Sequence, residues 1–141
     1  MWYREYNLEE INRIFAINMT GFLDIKAVSI TPDSLVAEMP ITEKVKQPYG
    51  LLHGGASVVL AESVGSIASN MVMDSDVWTG VGLEINANHI RPVTKGVVRA
   101  TCKAYHIGKT THVWDIQIHN ERNQLVCISR LTIAVIKIPK A

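Results

Sequence analysis

Residues 53–73 read HGGASVVLAESVGSIASNMVM, and Glu62 is the only charged residue in this stretch. The length and apolar character of the stretch predict a buried helix that begins near Gly54 or Gly55. Removing a carboxylate from water costs several kcal/mol unless a partner or a raised pKa compensates, and the helix sequence supplies no cation. An isolated acid in such a helix therefore predicts a functional role for Glu62.

A membrane-spanning helix is the alternative structure for residues 56–73, whose length approaches the roughly 20 apolar residues that a bilayer requires. Four serines, one asparagine and the central Glu62 interrupt the stretch, and no Lys/Arg cluster flanks it. A central acid costs about 2.5 to 3.5 kcal/mol of insertion free energy. The sequence therefore favours a helix buried in a protein core.

The remaining chain predicts one further helix and about six strands. Residues 8–18 carry apolar side chains at helical spacing, with Asn7 as a plausible N-cap and acids in the first turn. Thr20 and Gly21 are expected to end this pattern. Alternating side chains and turn residues predict a loop over residues 42–52 and strands over residues 22–31, 35–40, 79–90, 96–107, 110–120 and 125–138.

A helix that is apolar on every face must be covered by other elements. A strongly curved antiparallel sheet covers such a helix with short connections of the kind found here. The expected fold class is α+β, with one long central helix wrapped by six strands in a single domain over residues 1–141.

Composition excludes several classes of function. The 14 basic and 13 acidic side chains nearly balance, and no run of Lys or Arg predicts binding to nucleic acid or an anionic membrane. Cys102 and Cys127 are isolated thiols without metal or redox spacing, and the first residues carry charges where a secretory signal is apolar. A reduced, cytoplasmic protein is expected. The 48% apolar content indicates that self-association hides further surface.

Helical spacing places a stripe of residues on one face of the predicted helix: Gly54, Gly55, Val58, Glu62 and Ser66. The N-terminal end of a helix carries unpaired N–H groups and the positive end of the dipole, and glycines let a substrate oxygen approach them closely. The stripe therefore predicts an oxyanion site facing the same space as Glu62.

Neighbouring polar side chains fit the same chemistry. Gln47 can add a side-chain N–H from the preceding loop, Ser66 can hold a water or orient Glu62, and His53 can orient substrate or backbone. Each also has a structural interpretation: a solvated loop glutamine, a helix-packing serine, and an N-cap or a core histidine.

The other histidines predict no metal site, because they fall on separate strands or faces: His89, His106, His112 and His119. Basic side chains at strand ends favour either an anionic ligand or solvation. His89 and Arg91 lie beside Pro92 at one such end, and Lys109 lies in a hairpin turn where it can meet a phosphate. Arg130 in the last strand is a weaker third candidate.

Three segments carry a resemblance to a known family: QPYGLLHGGAS at 47–57, LAESVGS at 60–66 and VGLEINANHIRP at 81–92. They resemble the hotdog-fold acyl-CoA thioesterases. The similarity is greatest to the branch that includes 4-hydroxybenzoyl-CoA, 1,4-dihydroxy-2-naphthoyl-CoA and enterobactin-proofreading thioesterases, and it extends from about residue 8 to residue 136.

The resemblance implies the hotdog fold and hydrolysis of an acyl-CoA, with an aromatic or medium-chain acyl group. It implies that Glu62 is the nucleophile or the general base on water, and that the Gly54 N–H and the Gln47 side chain polarise the thioester carbonyl. Ser66 is implied to assist the water or the acid, and His53 to support the site. No metal and no cofactor beyond the coenzyme A of the substrate is implied.

The resemblance also implies where coenzyme A runs and how subunits assemble. The implied pantetheine and nucleotide path comprises Gly82, His89, Ile90, Arg91, Pro92, His106, Gly108 and Lys109. It further implies a homodimer whose sheets join edge to edge, with each site completed by the neighbouring subunit, and a homotetramer made from two dimers.

Three other functions remain open at this stage: a thioesterase for acyl groups on a carrier protein, a hydroxyacyl dehydratase, and a non-catalytic acyl-CoA-binding module. The sequence lacks the Pro-rich motif around a catalytic histidine that the dehydratases carry. Four side chains are candidates to line the acyl pocket or to form core: Phe22, Tyr49, Met71 and Met73.

Overall fold

The computed structural model describes residues 1–141 as three α-helices, one 3₁₀ turn and six strands. The helices are α1 (Leu8–Phe15), α2 (Asn18–Phe22) and α3 (Gly54–Met71), and the 3₁₀ turn spans Glu43–Val45. The strands are β1 (Lys26–Ile30), β2 (Ser34–Pro40), β3 (Trp78–His89), β4 (Val97–Ile107), β5 (Thr111–His119) and β6 (Leu125–Lys137).

All six strands form one antiparallel sheet in the order β1-β2-β4-β5-β6-β3. Helix α3 packs against β2, β3, β4, β5 and β6. The predicted α+β architecture, a long helix held by a curved six-stranded sheet, is confirmed. Strand β3 hydrogen-bonds to β6 alone, so it forms one edge of the sheet and runs beside α3.

The core lies between α3 and the concave side of the sheet. Leu60, Ala61 and Val64 of α3 are fully buried, and Leu131 of β6 reaches the helix at Gly65. A side chain at position 65 would come 2.5 Å from Leu131 Cδ2, so the glycine allows the close approach of helix and strand. None of the helices combines the length and apolar content that a bilayer-spanning segment requires.

The sheet covers one side of α3, and the opposite side is partly exposed in the single chain. The partly exposed residues of α3 on the opposite side include Val59, Glu62, Ser63, Ser66 and Ile67. The sequence did not reveal this partly exposed side of α3, because the side consists of serines and aliphatic residues and carries only one charged residue.

The chain between α1 and β1 also differs from the prediction. The prediction placed the end of the first helix at Asn18, a break at Thr20 and Gly21, and the start of a strand at Phe22. Instead, α1 ends at Phe15, Ile17 is extended, and residues 18–22 form the short helix α2, whose first residue Asn18 has a left-handed φ of 57°. Thr20 was expected to break the helical pattern, but its hydroxyl donates to the Phe15 carbonyl at 2.6 Å and stabilises the reversal. The predicted N-cap is present, since Asn7 Oδ1 accepts from the Glu10 N–H at 2.9 Å.

Candidate active site

His53 caps the N-terminus of α3. Its Nδ1 accepts the Gly55 N–H at 2.8 Å, and its carbonyl accepts the N–H groups of Ala56 and Ser57 at 3.0 and 3.3 Å. Three of the four N-terminal donors are thus satisfied, and no loop or cap acceptor takes the N–H of Gly54. Capping is one of the two roles that the sequence allowed for His53, and it leaves one free donor at the positive end of the helix.

Gln47 lines the same cavity as Gly54. The backbone N–H of Tyr49 donates to Gln47 Oε1, which leaves the Nε2 amide protons free to donate elsewhere. The cavity has a volume of about 320 Å³. It is lined by Gln47, Leu51, Leu52, Gly54, Ser57, His89, Ile90, Arg91, Pro92 and Val126. Two N–H donors therefore share one space, which is the arrangement that stabilises an oxyanion.

The His89 ring lies against the start of α3. A side chain at position 54 would come 2.8 Å from His89 Nε2, so the glycine leaves room for the ring. Strand β3 ends at His89, and Ile90 and Arg91 both donate backbone N–H groups to the Val126 carbonyl. The four residues from His89 to Pro92 therefore form one wall of the cavity that holds Gln47 and Gly54.

Glu62 lies in a second groove on the partly exposed side of α3. The groove has a volume of about 400 Å³ and is lined by Ile14, Met19, Thr20, Val59, Glu62, Ser63, Ser66 and Ile67. The Glu62 side chain forms no ion pair or hydrogen bond within the chain. The expectation of a carboxylate enclosed in an apolar interior is wrong for the single chain, because the sheet leaves this side of α3 open.

Gly82 of β3 limits the position of the Glu62 carboxylate. A Cβ atom at position 82 would come 2.8 Å from Glu62 Oε1, which is closer than such atoms pack. The pairing of β3 with β6 is irregular between Gly82 and Glu84, so Leu83 has no register partner. The edge strand β3 therefore leaves a recess for the Glu62 carboxylate, because Gly82 has no side chain and the strand bulges next to it.

One chain does not bring Glu62 and Gly54 to the same point. They are eight residues apart on α3, a rise of about 12 Å along the helix axis. They also line different cavities, with Ser66 beside Glu62 and Gln47 beside Gly54. The predicted stripe is therefore divided into an acid end and a donor end.

The predicted coenzyme A residues are divided in the same way. His89 pairs with Cys127 on β6, whereas the residue after the β4–β5 turn, Thr111, pairs with Ala134. Those β6 positions are seven residues apart, or about 23 Å along a strand. His89, Ile90, Arg91 and Pro92 therefore lie at one end of the sheet, and His106, Gly108 and Lys109 lie at the other.

The side chains beside Glu62 differ from those expected for an acyl pocket. Met71 and Met73 are core residues, with 2% and 8% of their surface exposed, and neither lines the Glu62 groove. Phe22 and Tyr49 are exposed and also lie off the groove. Its apolar walls are Ile14, Met19, Val59 and Ile67. Met19 was missed because α2 was not predicted.

The sequence pattern of the thioesterase superfamily matches residues 49–127, which include the α3 donor end, Glu62 and β3. This chain belongs to the thioesterase superfamily. The superfamily pattern covers more than half of the chain and includes every predicted catalytic residue except Gln47. The resemblance to hotdog-fold acyl-CoA thioesterases is confirmed, and the chain is a thioester hydrolase.

Three comparisons define its place among thioesterases. The 1,4-dihydroxy-2-naphthoyl-CoA hydrolase of Escherichia coli is 49% identical over 136 residues, which cover 96% of this chain and 99% of that protein. The hydrolase of the same name from Listeria monocytogenes is 50% identical over 115 residues, covering 82% and 93%. A thioesterase from Pseudomonas aeruginosa, solved as a Gln-to-Ala variant, superposes with a TM-score of 0.95 at 44% identity, covering 97% and 99%.

Proposed function

We propose that this enzyme hydrolyses an aromatic acyl-CoA to the free acid and coenzyme A, with 1,4-dihydroxy-2-naphthoyl-CoA as the first substrate to test. The names of the Escherichia coli and Listeria monocytogenes relatives support the substrate, since both match this chain over most of its length. The observation that carries the chemistry is the unpaired Glu62 carboxylate in an apolar groove of α3.

In the proposed reaction, the thioester carbonyl oxygen accepts hydrogen bonds from the Gly54 N–H and the Gln47 amide. These donors stabilise the negative charge that develops on oxygen as the carbonyl carbon is attacked. In one route Glu62 attacks that carbon, the C–S bond breaks as coenzyme A leaves as a thiolate, and water then hydrolyses the resulting anhydride to the free acid and the Glu62 carboxylate. In the other route Glu62 removes a proton from the attacking water, and the C–S bond of the tetrahedral intermediate breaks to release the coenzyme A thiolate. Departure as a thiolate requires no strong acid in either route. The reaction needs neither metal nor redox cofactor.

We propose further that the acid and the donors of one site come from two subunits. Within one chain the two sets of groups are separated by about 12 Å of helix and open into different cavities. Strand β3 runs beside both cavities and has an unpaired edge of 12 residues. Long open edges of this kind pair readily with another strand. A homodimer joined at β3, and a homotetramer of two dimers, are the proposed assemblies.

Replacing Glu62 tests the catalytic assignment. Glu62→Gln keeps the shape of the side chain and removes both nucleophile and base, so we expect kcat on the best acyl-CoA to fall by about a hundredfold or more. Glu43→Gln, an exposed acid on the 3₁₀ turn, is the matched control and should retain the full rate. A folded Glu62→Gln enzyme with a near-normal rate would remove Glu62 from the mechanism.

Mixing two inactive variants tests the shared site. If one subunit supplies Gln47 and the other Glu62, refolding Glu62→Ala with Gln47→Ala yields heterodimers with one intact site each. Random pairing then restores about one quarter of the normal rate. If each chain holds a complete site, no site in the mixture is intact and the rate stays at that of the separate variants.

Thiol release over a substrate panel tests the acyl group and its carrier. We expect the highest kcat/KM for aromatic acyl-CoA esters, lower values for medium-chain esters, and lower values again for the same acyl group on a carrier protein. A strong preference for the carrier-bound substrate would replace coenzyme A in the proposal and leave the hydrolytic mechanism in place.

A further inference from the structure

A buried polar cluster links α3 to the sheet at the end remote from His89. Ser69 of α3 is fully buried, and its hydroxyl accepts the Trp114 Nε1–H at 2.6 Å. The same hydroxyl lies 3.2 Å from His112 Nδ1, and His112 is 2% exposed. The His112 and Trp114 rings meet edge to face, with centroids 6.3 Å apart. None of these groups belongs to the catalytic machinery proposed above.

Trp114 determines one role within the cluster. An indole N–H can only donate, so the Ser69 oxygen is the acceptor of that bond. The direction of the second bond, between Ser69 and His112 Nδ1, depends on the tautomer of the ring. His112 pairs with Ile107, the last residue of β4 before the turn between β4 and β5. The cluster therefore connects α3 to the base of that turn.

The turn at Gly108 is tightly constrained. Its N–H donates to the Thr111 carbonyl at 2.9 Å, and a side chain at position 108 would come 2.5 Å from His106 Nε2. Gly108 and the following Lys109 line a cavity of about 300 Å³ together with Met73, Trp78 and Val135. A cation beside an apolar cavity suits a ligand with phosphate and a flat ring.

We propose that His112 is a positioning residue: bonded to Ser69 and paired with Ile107 at the base of the β4–β5 turn, it holds this turn in place to bind the phosphate-bearing nucleotide end of coenzyme A. The inference rests on the proposed function, because it assigns the Lys109 cavity to the nucleotide part of that substrate. His112 takes no part in bond breaking, since Glu62 lies seven residues before Ser69 on α3, a rise of about 10 Å.

The groups around the ring give this positioning a pH dependence. His112 faces uncharged Ser69 from α3 and pairs with Ile133 of β6, while His106 from β4 is its titratable neighbour. Burial lowers the pKa of His112, the Gly108 backbone raises it and the charge of His106 lowers it. The neutral ring is thus the native form, and protonation at acid pH disturbs the contact with Ser69.

Kinetics with two substrates test the proposal. We expect His112→Phe to raise KM for the acyl-CoA about tenfold with kcat within about twofold, because only binding of the distal group is lost. The N-acetylcysteamine thioester of the same acid lacks the nucleotide, so its kcat/KM should change by less than about twofold. His112→Gln, whose amide can both accept and donate, should recover most of the affinity. His119→Phe, at the other end of β5, is the matched control.

Calorimetric binding of coenzyme A and of adenosine 3′,5′-bisphosphate separates this inference from the proposed function. If no acyl-CoA is hydrolysed by the normal enzyme, the function fails, yet weaker nucleotide binding by His112→Phe would still support the positioning role. Equal nucleotide affinity in the folded variant would overturn it. An equal loss of kcat/KM on both thioesters would also overturn it, because a general disturbance of the site does not depend on the nucleotide.

Discussion

The Glu62 carboxylate lies beside Gly82, which leaves space for it because glycine has no side chain. Its Oε1 atom would be 2.8 Å from any Cβ at Gly82, whereas Gly80, two residues earlier on β3, faces Ile133 and Ser69 instead. Reacting groups misplaced by about 1 Å lose catalysis by a factor of about 100. Residue 82 therefore controls the geometry of the acid without supplying any functional group.

Gly82→Ala should lower kcat by between about tenfold and a hundredfold, because the new methyl group displaces the carboxylate. Steady-state kinetics on an aromatic acyl-CoA measure the effect. Gly80→Ala is the matched control, since its methyl group would meet Ile133 Cγ2 at 2.9 Å and leave Glu62 untouched. Equal kcat values for the two variants would show that Gly82 does not position the acid.

Helix α3 joins the two halves of the proposed chemistry to the fold. Its N-terminus presents the free Gly54 N–H, its middle carries Glu62, and its last turns are anchored by Ser69 and Asn70. Asn70 Oδ1 accepts the Gly80 N–H at 3.2 Å, and its Nδ2 donates to the Ser66 carbonyl at 2.9 Å. The helix is therefore fixed to the edge strand β3 through polar contacts as well as through the core.

Ser69→Ala should destabilise the fold by about 1 to 3 kcal/mol, because it leaves the Trp114 N–H and His112 Nδ1 buried without their partner. Ser63→Ala, on the partly exposed side of the same helix, has the same effect on helix propensity and removes no buried hydrogen bond. Urea unfolding of both variants isolates the cluster. A Ser69→Ala midpoint equal to that of Ser63→Ala would contradict the assignment.

His112 on β5 should make the stability of the fold depend on pH. Because burial lowers the native pKa of His112, the unfolded chain binds a proton first as pH falls through about 6.5. The free energy of unfolding is therefore greatest above that pH. Below it, the free energy of unfolding decreases by up to about 1.4 kcal/mol per pH unit for one proton. The free energy of unfolding should be measured from pH 8 to pH 5 for the normal enzyme and for His112→Gln, and it should decrease less in the variant. Parallel curves would exclude His112 as the source.

At the scale of the whole molecule, the proposed homodimer would account for both the open edge of β3 and the divided site. Leu83 and Val81 expose 65% and 45% of their surfaces on this edge, beside a 12-residue strand that pairs on one side only. A second copy joined at β3 would cover these side chains. It would also place a second set of groups near each cavity.

Leu83→Lys should convert the enzyme to a monomer and abolish most of its activity, because it places two cations close together across the proposed joint. Val28→Lys, on the opposite edge strand β1, is the control and should keep both the assembly and the rate. Sedimentation velocity and thiol release measure the two properties. A fully active Leu83→Lys monomer would contradict the shared site.

The sequence by itself determined the elements that depend on local pattern. The apolar run after His53 predicted α3, and alternation predicted the long strands that became β3 to β6, because burial imposes periods of 3.6 and 2 on the chain. Motif identity likewise indicated the thioesterase family. The short helix α2 was not predicted, because a helix of five residues that begins at the left-handed Asn18 has too little periodicity to detect.

Only the tertiary structure decided how the functional groups are distributed. Helical spacing put Gly54 and Glu62 on one stripe, but it is the packing of α3 along β3 that separates a donor cavity from an acid groove. The recess at Gly82 and the bond between Ser69 and His112 join residues 20 and 43 positions apart in sequence. Contacts of this range depend on how strands and helix pack in space, and no local pattern encodes that arrangement.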